Sequence, residues 1–182
     1  MFYSAFTKLL GLKPNEEEYI LMGMAAYGRD LPSVLINHSL VEDREEIRFK
    51  QNLHLGVDPD FLHNIDTMDI AAGTQAVAQD LIYSVMRRAQ RFGWSTNLVY
   101  QGGVALNCLA NRNLGDYFDN IWIMPNPGDA GSSLGAAALA YGKQIHWTNA
   151  YLGHNIPGPY PVNAILDELL TNKIAGVASG RA

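Results

Sequence analysis

With 182 residues, 48% of them hydrophobic and 17% charged, the chain has the composition of a folded protein with a real core, not of a disordered one. Its formal net charge is −5 and its thirteen Lys and Arg are spread thinly, which argues against nucleic acid as the main partner, because phosphate binding needs a basic stripe. No run of about 18 apolar residues reads as a membrane span. The single cysteine, Cys108, excludes a disulfide framework or a cysteine metal site and fits a reducing, cytoplasmic setting.

Residues 2–11 read as a short helix ending at Gly11, with Phe2, Phe6, Leu9 and Leu10 on one side. The segment is amphipathic but lacks the basic region, apolar core and cleavage site of a leader. "KPNEEEYILMGMAAYG" opens on a Pro-Asn turn and continues as a second helix. Glu16, Glu17 and Glu18 fill its first turn, where anions are favoured. Gly23 interrupts this helix and Gly28 closes it. An interior glycine costs roughly 1 kcal/mol against alanine, so Gly23 is expected to serve a close approach. "SVLINHSLV" and "EEIRFKQNLHL" alternate as strands, and the charged "EDREE" between them suits a hairpin tip. His38 and His54 fall in these strands and read as surface or core residues.

"DTMDIAAGTQAVAQDLIYSVMRRAQRFG" is the clearest helix. Asp66 is its expected N-cap and Gly93 takes the position just past its end. Apolar or small residues recur at Ile70, Thr74, Val77, Leu81, Val85, Ala89 and Phe92. Arg87, Arg88 and Arg91 sit in its last turn, where cations complement the dipole. There follow a strand at 97–100, a helix at about 104–115, a strand at 120–124 and a helix at about 130–142. Residues 143–162 read as a loop, "AILDELLTN" as a short helix, and "KIAGVASGRA" as the start of a strand. A strand leading into Ser-Gly-Arg suggests a fragment or an excised domain.

Two of these junctions share a design. "NLVY" runs into "QGGVALN" and "IWIMP" into "NPGDAGSSLGAAALAYG", each a hydrophobic strand, then glycines, then a helix. A helix start offers free N–H groups and partial positive charge, and glycine lets an anion approach the backbone. Two such turns at the carboxyl ends of neighbouring strands make a crevice suited to a nucleotide. Gly102 and Gly103 fit a phosphate-facing turn, and Asn107, one turn on, could hold a ligand by hydrogen bond. Gly128, Asp129, Ala130 and Gly131 form the second turn. Asp129 places a carboxylate where an anion would otherwise sit, which makes sense if a metal ion bridges it to a phosphate. The alternative is that the glycines only make tight turns and Asp129 is a helix cap. Neither turn matches the dinucleotide or Walker patterns.

Several segments in order, "FYSAFTKLLGLKPNEEEYILMGMAAYG", "QGGVALNCLANRNL", "IWIMPNPGDAGSSLGAAALAY", "YLG" and "SGRA", resemble the O-carbamoyltransferases of the nodulation and cephalosporin-biosynthesis type. The resemblance implies an α/β fold of the actin-like ATPase (ribonuclease H-like) class, with this chain as the second half of that domain. It implies that carbamoyl phosphate and ATP give carbamoyl-adenylate, whose carbamoyl group passes to a hydroxyl of a small-molecule acceptor. Gly102, Gly103, Val104 and Asn107 then carry over as nucleotide binders, joined by Gly128 and Gly131. Asp129 carries over as a ligand of a divalent metal, typically iron.

The departures matter. The family's H-x-x-x-H metal motif is not formed by His38, His54, His63, His146 or His154. The arginine motif that would begin at Gly180 stops at Ala182, the adenylate-forming domain is absent, and Ile20 stands where many relatives carry lysine. The sequence therefore reads as part of a carbamoyltransferase, inactive alone. The alternatives are a kinase-like or tRNA threonylcarbamoyl-transfer module of the same fold, and a truncated product serving only assembly. The acceptor is not readable, and a half-domain with a bare sheet edge invites pairing with another copy.

Overall fold

The computed structural model describes residues 1–146, 148–149, 151 and 153–181. Parts of the expected loop 143–162, the middle of "YLG" and the final Ala182 lie outside them. The chain divides into two compact units, Met1–Ser132 and Ser133–Ala182. It is a mixed α/β protein whose described sheets are small, each of two strands.

The first unit opens with α1 (Phe2–Leu9) and α2 (Glu18–Met24). Phe2 and Phe6 are buried, as the apolar side of α1 requires, with Leu9 and Leu10 packed against the same cluster. Gly23 is not the close approach expected of it, since nothing lies within 4 Å of its Cβ position. Gly28 has that role: a Cβ there would stand 1.8 Å from the Met68 carbonyl oxygen.

"SVLINHSL" is a helix, α3 (Ser33–Leu40), not the expected strand. Its β-branched residues suggest a strand. The i, i+4 pair Ile36 and Leu40, both buried in the main core, decides for helix. Pro32 stands at its N-cap, where the missing N–H costs nothing. The hairpin survives in reduced form as β1 (Val41–Asp43) and β2 (Arg48–Phe49), paired antiparallel. His38 therefore lies on α3, and His54 in a short 3₁₀ turn capped by Asn52.

The long helix α4 (Thr67–Arg91) is the spine of this unit. Asp66 caps it by accepting from the Met68 N–H, and Gly93 follows its end with φ of +65°. Ile70, Thr74, Val77 and Leu81 are buried as expected, whereas Val85 and Phe92 are exposed. Beyond Leu81 the buried face rotates to Ile82 and Met86, which pack with Ala110, Leu114 and Phe118 in a second cluster. The arginines of the last turn have partners. Arg88 pairs with Glu46 at 3.5 Å and Arg91 with Glu45 at 3.3 Å, tying the hairpin tip to the helix end.

Next come β3 (Asn97–Tyr100), the short helix α5 (Cys108–Asn111) and β4 (Asn120–Ile123). The expected helix over 104–115 is broken into 3₁₀ turns on either side of α5. Asn107, with φ −76° and ψ 87°, leaves helical geometry and becomes the cap of α5. Leu98, Tyr100 and Ile123 pack on the second cluster.

The helix α6 (Ser132–Tyr141) begins at the boundary, and the second unit holds the rest of it with β5 (Asn155–Ile156), α7 (Val162–Asn172) and β6 (Gly180–Arg181). Neither helix carries a buried residue. Lys173 ends α7 with φ of +66°. The strand expected from 173 shrinks to β6, which pairs antiparallel with β5 inside the segment read as loop.

Candidate functional site

The site is built on β3 and β4. They pair in parallel from Asn97↔Asn120 to Tyr100↔Ile123, which brings their carboxyl ends side by side. Each strand then enters its glycine turn. The Gly102 N–H donates to the Pro127 carbonyl at 2.8 Å. A Cβ on Gly128 would lie 4.0 Å from the Gly103 Cα. The two turns touch, well within the roughly 15 Å that a nucleotide's sugar and phosphates span.

The four glycines differ in why they are glycine. Gly102 has φ of +101°, a conformation L side chains rarely adopt. A Cβ on Gly131 would meet the Asn126 carbonyl oxygen at 2.1 Å. Backbone geometry demands both. Gly103 has nothing within 4 Å of its Cβ position, and Gly128 meets only Gly103. No local packing demands glycine at either: a side chain at Gly128 would touch Gly103, and one at Gly103 would enter open space. Val104, 56% exposed, stands on the 3₁₀ turn Gly103–Leu106.

Asn107 is held firmly. Its Oδ1 accepts from the Ala110 N–H at 3.1 Å, capping α5. Its carboxamide also makes a reciprocal pair with Gln75 of α4, both bonds at 3.0 Å. The other Asn107 side-chain N–H has no partner among the described residues. Beneath the turn, Asn111 donates to the Ala105 carbonyl at 2.7 Å, while its buried Oδ1 finds no partner among the described residues. Gln75 also lines an open cleft of about 410 Å³ with Ala25, Gly28, Ala72, Gln79 and Arg112.

Asp129 is exposed and opens a 3₁₀ turn, Asp129–Gly131. It is not that turn's cap. Gly128 holds the cap position and no side chain caps the turn. Among the described residues, no three His, Cys, Asp or Glu gather where they could hold a metal ion. One carboxylate does not bind a catalytic metal firmly, so this chain's residues alone do not fit the metal centre that the resemblance implies.

The sequence reading missed Gln75 and Tyr3, whose hydroxyl donates to Gln75 at 2.7 Å. Burial, with the nearby Glu18 carboxylate, pushes the Tyr3 phenol well above its ordinary range, so it remains a donor at neutral pH. Gln75, Gln79 and Tyr83 recur at four-residue steps along α4, a polar stripe beside the apolar one that the spacing alone displays.

The segment is thus a parallel α/β strand pair whose two glycine turns touch at the carboxyl ends of the strands. The family model described as Carbamoyltransferase N-terminus matches residues 1–138, and the chain belongs to that family. It is 34% identical over 168 residues to an uncharacterised protein of Synechocystis, covering 80% of this chain and 27% of that protein. It is 28% identical to an uncharacterised protein of Methanocaldococcus jannaschii, covering 92% and 35%. It is also 28% identical to the nodulation protein NolO of Bradyrhizobium diazoefficiens, covering 76% and 27%. The chain thus spans about a quarter to a third of the length of these relatives.

Proposed function

We propose that the chain is part of a longer O-carbamoyltransferase, in which the two glycine turns bind ATP and the carbamoyl-adenylate made from it with carbamoyl phosphate. The observation that carries this is the contact of the turns at the ends of β3 and β4, which leaves an open cradle at Gly103 and Gly128. Backbone N–H groups at a helix start suit phosphate oxygens, and the Asn107 N–H suits an acceptor atom of the same ligand. An actin-like ATPase fold for the complete domain belongs to the same proposal.

In the transfer step an acceptor hydroxyl oxygen attacks the carbamoyl carbon. The bond from that carbon to the phosphate oxygen of AMP breaks, AMP leaves with the electron pair, and the hydroxyl proton passes to solvent water. The chain's part is to hold the adenylate's phosphate still, which is a positioning role. Asp129 is proposed as a single ligand of a centre whose other ligands lie outside this chain.

Calorimetric titration with ATP tests the first half. The chain is expected to bind ATP, and absence of binding refutes the nucleotide reading. The second half is tested in the full-length protein by Asp129→Asn. Bound metal and transfer rate should fall by about an order of magnitude or more. Stability should change by about 1 kcal/mol or less. A full metal complement with an unchanged rate removes Asp129 from the metal site.

A further inference from the structure

The Asn107 carboxamide belongs to a closed hydrogen-bond circuit whose direction is set by one residue of α5. The Ala110 N–H can only donate, so it faces Asn107 Oδ1, at 3.1 Å. That places Gln75 Nε2 against the same oxygen and Gln75 Oε1 against Asn107 Nδ2, both at 3.0 Å. The other Gln75 N–H donates to Gln79 Oε1 at 3.1 Å, and Gln79 Nε2 donates to the Tyr83 hydroxyl at 3.2 Å. Tyr83 donates in turn to the Ala110 carbonyl at 3.3 Å, which can only accept. The two backbone groups of Ala110 therefore fix the circuit's direction at both ends. Gln75 is 4% exposed, and with the Tyr3 hydroxyl on its oxygen it has no free valence.

We propose that Gln75 is a positioning residue for the glycine site: supported by Tyr3 and Gln79, it locks the Asn107 carboxamide so that one N–H alone is presented. The site then selects a ligand with a hydrogen-bond acceptor at that point, a ring nitrogen or a hydroxyl or phosphate oxygen, and refuses a donor-only group. Turning the amide over would set an oxygen against Gln75 Oε1 and leave the Ala110 N–H unpaired, a buried penalty that keeps one state. The proposal rests on the nucleotide reading of the turns.

Two measurements on the 182-residue chain test it. The first needs no ligand. In nuclear magnetic resonance spectra, the Asn107 side-chain amide protons should be well separated and slow to exchange. In Gln75→Met their shifts should move to those of a solvated asparagine side chain and they should exchange at least tenfold faster, with an intermediate effect in Tyr3→Phe. An unchanged Asn107 amide in Gln75→Met overturns the lock. The second is ATP affinity, corrected for the folded fraction. Gln75→Met should weaken it about tenfold, and the double variant with Asn107→Ala should be no weaker than Asn107→Ala alone, because Gln75 acts through Asn107. Additive losses, or full affinity in folded Gln75→Met, overturn positioning. If the lock is seen but wild-type chain binds no ATP, the nucleotide reading falls while the orientation of Asn107 stands.

Discussion

Gly103 and Gly131 lie on facing turns, and the same substitution should act on them in opposite ways. Gly131→Ala drives a Cβ to 2.1 Å from the Asn126 carbonyl oxygen, a contact with backbone that cannot yield cheaply. It should destabilise the chain by about 1–3 kcal/mol, the usual cost of overpacking. Gly103→Ala places its methyl in open space and should alter stability by about 0.5 kcal/mol or less. If the cradle takes phosphate, Gly103→Ala should still weaken ATP binding tenfold or more. Thermal unfolding and ATP titration on both variants check this. A stable Gly131→Ala contradicts the packing argument, and a Gly103→Ala chain with full ATP affinity contradicts the cradle. The two glycines look alike in the sequence. What separates them is the path of the Asn126 carbonyl, which the folded turn sets.

At the scale of elements, one carboxylate ties the segment after α2 to the start of α4. Asp69, in the first turn of α4, accepts from the Arg29 backbone N–H at 2.7 Å and from its guanidinium at 3.1 Å. The backbone hydrogen bond, then the guanidinium's hydrogen bond and charge, hold the Asp69 carboxyl below its usual range. A depressed folded value means the stabilisation is complete above the unfolded value of about 3.9. It is lost as pH falls from there through the folded value. Chemical denaturation as a function of pH should show wild type ahead of Asp69→Asn at neutral pH, with the gap closing below about pH 4. A gap independent of pH would show that the pairing contributes nothing through its charge. The same scale explains the misread segment. "SVLINHSLV" has strand propensity, but α4 offers Ile36 and Leu40 a face at helical spacing, and propensity is overridden by burial. Local chemistry was legible where caps are strong, as at Asp66. At Asn107 the sequence did not show the cap that breaks the expected helix.

For the whole molecule, stability should be uneven. Core residues such as Phe6, Leu21 and Ile36 have no exposed surface and lie in the first unit. No residue of α6 or α7 is buried, and helices of 10 and 11 residues are marginal in water without packing. Hydrogen exchange followed by mass spectrometry should find the α4 amides between Ile70 and Leu81 among the slowest in the chain. Amides of α6 and α7 should exchange at least a hundredfold faster. Equal protection in the two units would show that the helices of the second are held by something other than burial within it.

The sequence by itself determined the α4 helix and its ends and the two strands that run into glycine turns, because each rests on local chemistry: periodic apolar residues, a capping carboxylate, glycine after a hydrophobic run. The family was legible from the order of several segments. Tertiary structure decided the rest. It made Ser33–Leu40 a helix, passed the close approach from Gly23 to Gly28, and brought Gly103 opposite Gly128. It also set Gln75 against Asn107, 32 residues apart in the chain. These depend on which surfaces meet, and a contact between distant segments has no signature in the local order of residues that a propensity or a spacing can read.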